Sequence, residues 1–254
     1  MSVNAVHKAV LRENKDSDTA ILMTHGIFGS PNQFEDMAKY FYEKGYTTQT
    51  LLLPGHGGTT RDFADTRAYT WRAYVKIAAQ KLLENHKKIV LMGHSMGGLL
   101  SIETANELGC DALVLIGTPT SINASLTNAR NVRRSVVGDL KHDDLNNEDI
   151  TSLYSVDPPK AWEALSWSLP LMDLVDMTRE IPTYLPNLDI PVFLCQSKQD
   201  TTIGQESIIE LAVGLNKTIV EVAVLEESTH SIFTPEERAI LISRIDNFLS
   251  RFVK

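Results

Sequence analysis

The chain has 254 residues, of which 24 are basic and 32 acidic, giving a formal net charge of −8. Hydrophobic residues make up 43%, which excludes a wholly disordered chain, and 14 glycines with 10 prolines exclude a collagen-like one. The acidic balance argues against nucleic acid as a partner, and the length suffices for one large domain or two small ones.

Two cysteines, Cys110 and Cys195, stand in apolar runs and read as buried thiols rather than a disulfide framework. The N-terminal residues carry no long apolar stretch, and no segment approaches the roughly 20 apolar residues of a membrane span. The expectation is a cytoplasmic protein without integral membrane association. Oligomeric state is not readable.

Short apolar, β-branched runs predict strands at 20–24, 47–53, 89–92, 112–116, 190–196 and 218–225, with a weaker one at 5–11. Most are continuously apolar, as in strands covered on both faces. Between them lie helical patterns. Ser30-Pro31 reads as an N-cap followed by proline at N1, with Gly45 as the stop. Thr70 reads as the cap of a helix carrying Trp71, Tyr74, Ile77, Leu82 and Leu83. A third helix runs from Met96 to Leu108 and ends at Gly109, and Thr234-Pro235-Glu236-Glu237 opens a last one. Alternating strands and helices predict an α/β fold, a mostly parallel sheet of six to seven strands with helices on both faces.

Residues 118–186 break the alternation. Polar turns at 123–134 and a charged stretch at 141–149 precede a helical pattern from Lys160 to about Met177, bearing Trp162, Leu165, Trp167, Leu169, Leu171, Met172 and Leu174. Pro182, Pro186 and Pro191 close this segment, which is too long for a simple crossover.

The strand 89–92 runs into Gly93-His94-Ser95-Met96-Gly97 and then a helix, a G-x-S-x-G turn in strand–turn–helix context. At such an elbow the serine backbone is strained and its Oγ projects above the sheet edge, while side chains two residues to either side would clash. Ser95 is therefore the candidate nucleophile. Acyl transfer also needs two N–H donors for a developing oxyanion. One falls to Met96, after the nucleophile, and the other to the turn His25-Gly26-Ile27-Phe28-Gly29, where Ile27 fits best and Phe28 is the neighbouring candidate. Phe28 and His94 are candidates for contact with substrate.

Seven histidines are present. The order serine–acid–histidine assigns the base to His230, in the loop after the last strand. His25 and His56 read as turn-holding residues, and His142 lies in the polar stretch. Asp200, just beyond the strand 190–196, fits the acid. Asp173, Asp176, Glu226 and Glu227 are the alternatives. No His/Cys/Asp cluster has metal-ligand spacing, so neither metal nor cofactor is expected.

These residues, with Pro54-Gly55-His56-Gly57, Gly98 and His25-Gly26-Ile27-Phe28-Gly29-Ser30, resemble the α/β-hydrolase superfamily, and within it the small bacterial carboxylesterase and monoacylglycerol lipase group. Two positions differ from that group: Ile27 replaces the usual aromatic after His-Gly, and Thr229 replaces the usual glycine before the base. The resemblance implies a helical lid at 118–186 on a core of 1–117 and 187–254. It also implies hydrolysis of a small-molecule acyl ester, of short to medium chain and including monoglycerides, through an acyl-serine. A thioesterase, amidase, acyltransferase or C–C hydrolase would share the same residues, and a silent ligand-binding member would be expected to lack one of them.

Overall fold

In the computed structural model of the chain, the described residues are 7–122, 152–156 and 164–253. The expected turns at 123–134, the charged stretch at 141–149, His142 and Trp162 lie outside them. Seven strands form one sheet: β1 (Val10–Arg12), β2 (Thr19–Thr24), β3 (Thr47–Thr50), β4 (Lys88–His94), β5 (Ala112–Ile116), β6 (Val192–Ser197) and β7 (Val220–Leu225). Their spatial order is β1-β3-β2-β4-β5-β6-β7. Every neighbouring pair is parallel except β1 with β3. The seventh strand expected at 5–11 is therefore a short antiparallel edge, beginning at Val10.

Alternate residues of the central strands feed two cores, which is why their sequences are apolar throughout. Leu22, Leu91, Leu113 and Leu194 face one layer, built by α3 (Ala68–Leu83), α4 (Met96–Leu108), α5 (Ser168–Tyr184) and α6 (Glu206–Gly214). Met23, Met92, Val114 and Phe193 face the other, where α1 (Glu35–Glu43) brings Met37 and Phe41 and α7 (Pro235–Phe252) brings Leu241, Ile245, Phe248 and Leu249. A short helix, α2 (Thr60–Ala64), opens on a capping box between Thr59 and Asp62.

Several helix ends depart from expectation for identifiable reasons. Ser30 does cap its turn, accepting from the Asn32 N–H, but Pro31–Phe34 is a 3₁₀ turn and α1 starts only at Glu35. Helix α3 starts at Ala68 rather than after Thr70, because the Asp173 carboxylate, from a distant helix, accepts the Ala68 N–H at 2.8 Å. A 3₁₀ turn, Ala164–Trp167, leads into α5, which runs past Met177 to Tyr184 with Pro182 inside it. Its buried face, Leu171, Leu174, Met177 and Ile181, continues through that stretch and packs into the first core. Strand β3 ends at Thr50, and Leu51 and Leu53 lead as buried residues toward Pro54.

Candidate active site

Strand β4 ends at His94, and Ser95 is the N-cap of α4 with φ 53° and ψ −122°. A non-glycine residue in that region is strained by about 1–3 kcal/mol and persists only where the surroundings fix it. Here the glycines make the turn possible. A Cβ on Gly93 would run into the Gly97 carbonyl, and one on Gly97 into the Thr24 carbonyl at the end of β2. The Ser95 N–H donates to the Ile116 carbonyl at 2.9 Å, which fixes the serine between the ends of β4 and β5. The N-terminus of the 13-residue helix α4 lies directly beneath it, with its positive dipole end toward Ser95.

His230 comes over the same spot. It follows β7 in a loop, and its ring lies over Gly117, where an added Cβ would sit 3.2 Å from His230 Nδ1. Nδ1–H donates to Asp200 Oδ2 at 2.7 Å. That bond makes Nε2 the basic nitrogen of the neutral ring. The pair is buried, with side chains 5% and 1% exposed. Asp200 is held on every side: Oδ2 also accepts from Gln196 Nε2 at 2.9 Å, and Oδ1 accepts from the Thr202 and Ile203 N–H groups at 2.8 Å each. Burial pushes its pKa up, but the His230 ring and these donors outweigh burial and hold it below the usual carboxylate range. The other acidic candidates are engaged elsewhere: Asp173 with Arg67, Asp176 with Arg179, and Glu226 with Lys198. Glu227 is exposed on the loop.

His94 is turned under His230 rather than outward. Its Nε2–H donates to the His230 carbonyl at 2.7 Å, and the two rings lie 4.7 Å apart. Burial and the neighbouring His230 ring depress the pKa of His94 to about 3, so it is neutral. His94, a candidate from sequence for contact with substrate, thus bonds to the backbone of the candidate base. Gln196, near the end of β6 before the Asp200 loop, carries no local sign in the sequence of its bond to Asp200. The Glu237 carboxylate accepts from the N–H groups of Glu226, Glu227 and Ser228 and anchors the loop that carries His230. Glu237 stands three residues after the helix cap Thr234, the one local sign of an anchoring carboxylate.

The turn after β2 approaches from the other side. A Cβ on Gly26 would lie 2.9 Å from Ser95 Cβ, so the backbone passes directly over the serine. Phe28 has φ 59°. Its N–H donates to His56 Nε2 at 3.1 Å, which removes Phe28 as an oxyanion donor. Among the described residues, the Ile27 and Met96 N–H groups have no such acceptor. His25 donates from Nδ1 to the Gly26 carbonyl at 2.8 Å and accepts the Leu53 N–H on Nε2 at 3.1 Å. Burial holds His25 well below its usual pKa and His56 at about 4, so both act as neutral clamps. The Phe28 ring stacks on Trp167 (4.7 Å between centroids) and packs against Phe63 (4.9 Å), making an aromatic wall beside the turn.

Residues 15–237 match the family described as serine aminopeptidase, S33. The thermostable monoacylglycerol lipase of Bacillus sp. (strain H-257) is 23% identical over 241 residues, covering 93% of this chain and 92% of the relative. The carboxylesterase of Bacillus subtilis (strain 168) is 23% identical over 238 residues, covering 93% and 94%. A solved structure from work on LipS and LipT, two metagenome-derived lipolytic enzymes, superposes with a TM-score of 0.76 at 20% identity, covering 96% of this chain and 97% of that one. No helix among the described residues is long and apolar enough to cross a membrane. With the parallel sheet, the strained serine at the β4–α4 turn and a family match over most of its length, the chain belongs to the serine aminopeptidase S33 family of the α/β-hydrolases.

Proposed function

We propose that this chain is a serine carboxylic-ester hydrolase acting on short- to medium-chain acyl esters, monoacylglycerols among them. The observation that carries the reading is the buried His230–Asp200 pair, brought over the β4–β5 edge where Ser95 stands at positive φ. Ser95 Oγ attacks the ester carbonyl as its proton passes to His230 Nε2. Asp200 holds the ring in the Nδ1–H tautomer and stabilises the imidazolium. The Ile27 and Met96 N–H groups take the oxyanion, each worth about 3–4 kcal/mol in comparable sites. Collapse of the tetrahedral adduct expels the alkoxide, which takes the proton from His230. Water then attacks the acyl-serine with His230 again as base, releasing the acid and restoring Ser95.

Substrate class rests on the wall of Phe28, Phe63 and Trp167, which is apolar, and on the names of the two Bacillus relatives. We further propose that 118–186 form a cap on a core of 1–117 and 187–254. Support comes from α5, which lies between β5 and β6 along the chain and packs its apolar face onto the core beside α3 and α4.

The family description favours a second reading, cleavage of an aminoacyl amide. Such a substrate brings an α-ammonium group, which calls for a carboxylate beside the acyl group. The described wall of Phe28, Phe63 and Trp167 is apolar, which favours the ester reading. The test is turnover of graded p-nitrophenyl esters and monoglycerides against aminoacyl p-nitroanilides, by the native chain and by Ser95→Ala. Ester turnover in the native chain and none in Ser95→Ala is expected. Full ester turnover in Ser95→Ala overturns the proposal.

A further inference from the structure

The segment 152–156 belongs to the insertion between β5 and β6, yet it is bonded to the turn that carries Ile27. Ser155 is fully buried there and makes three contacts. Its N–H donates to the Phe28 carbonyl at 2.9 Å, its carbonyl accepts the Gly57 N–H at 2.8 Å, and its Oγ donates to the Gly29 carbonyl. Gly29 and Tyr154 pair as an isolated antiparallel bridge, and Asn32 Nδ2 donates to the Ser152 carbonyl at 3.0 Å.

Phe28 is the strained residue of this turn, and both of its peptide groups are now accounted for. His56 Nε2 takes its N–H, the Ser155 backbone N–H donates to its carbonyl, and the Ser155 hydroxyl holds the next carbonyl, that of Gly29. A left-handed conformation in a bulky residue survives only when it is fixed from outside. The Ile27 N–H belongs to the Gly26–Ile27 peptide, whose carbonyl accepts the Gly29 N–H at 3.0 Å, and that N–H is part of the same Phe28–Gly29 peptide whose carbonyl Ser155 holds.

We infer that Ser155, contributed by the insertion, is a positioning residue of the oxyanion hole, working with His56 to hold the Ile27 N–H over Ser95. This rests on the serine-hydrolase reading above. In it the insertion is a built-in part of the site as well as its cover. The partners are backbone groups of one turn, so the expected signature is loss in the transition state without loss of ground-state binding.

The test compares the native chain with Ser155→Ala and Ser155→Cys on a short-chain p-nitrophenyl ester, and measures inhibition by an alkyl trifluoromethyl ketone, whose adduct carries the oxyanion. Ser155→Ala removes the Oγ–H bond to the Gly29 carbonyl while leaving the backbone bond to Phe28, and is expected to lower kcat about tenfold with KM within twofold and to weaken the ketone by a similar factor. Ser155→Cys, of similar size with a weaker donor, is expected to fall between the two and covers the case in which Ser155→Ala does not fold. Folded variants with native kcat and native ketone affinity overturn the inference. So does a loss confined to KM. An inactive native chain instead sinks the serine-hydrolase reading itself, and the two failures are thereby separate.

Discussion

His94 Nε2–H donates to the backbone carbonyl of His230 at 2.7 Å, so the residue before the candidate nucleophile holds the loop of the candidate base. The candidate nucleophile and the candidate base are thereby tied through the backbone. His94→Ala should lower kcat about tenfold by loosening the His230 loop, while His94→Gln, which retains an N–H donor, should recover part of it. Steady-state kinetics of the two variants check this. Equal activity in both would deny the tie any role.

Gln196 gives Asp200 one of the four donors it accepts from among the described residues. Removing it in Gln196→Ala leaves a buried carboxylate oxygen short of a partner, a loss of about 1–2 kcal/mol. We expect a few-fold lower kcat, unchanged KM and a lower urea midpoint. A variant with native kinetics and native midpoint would show that the backbone donors of Thr202 and Ile203 suffice.

Glu237 anchors the loop before His230 through the N–H groups of Glu226, Glu227 and Ser228 and the Ser228 hydroxyl. Glu237→Ala should destabilise the fold by about 1.5–3 kcal/mol, the range for hydrogen bonds to a charged group. Thermal denaturation measures it, and hydrogen exchange at 226–231 should rise in the variant. Unchanged exchange there would remove Glu237 as the anchor.

His56 and His94 are buried as neutral rings with pKa values of about 4 and about 3. The unfolded chain, with ordinary histidines near 6.5, binds more protons than the folded one between those values. Their contribution is therefore fully present above about pH 6.5 and is lost as pH falls toward 4 and then 3. Urea midpoints should drop steadily from pH 7 to pH 4.5, by a few kcal/mol in unfolding free energy. A flat profile would mean that these rings are not buried neutral.

The strands and long helices were legible because both carry uniform local signals. Strands β2, β4, β5 and β6 are apolar on both faces, and Gly45 (φ 97°) and Gly109 (φ 77°) end α1 and α4 as read. Helix α2 has five residues, too short for a period to show, although Thr59 and Asp62 held its capping box. Helix α6 carried Ile208 and Leu211 on one face beside exposed Ile209 and Val213, and that mixture hid its amphipathic pattern. Ser95 stood out because the glycines around it answer a steric demand within one turn. The work of His56, His94, Gln196 and Ser155 lies in bonds to backbone groups far along the chain. Ser155 meets Gly29 across 126 positions, a pairing no local pattern encodes.

The most direct test of the whole account is the site of modification by a fluorophosphonate ester, read by mass spectrometry of the intact chain and its peptides. One phosphonyl group per chain is expected, on Ser95, with ester hydrolysis lost in step with labelling. An unmodified Ser95 in a chain that hydrolyses esters, or a label on another residue accompanying the loss of activity, would contradict it.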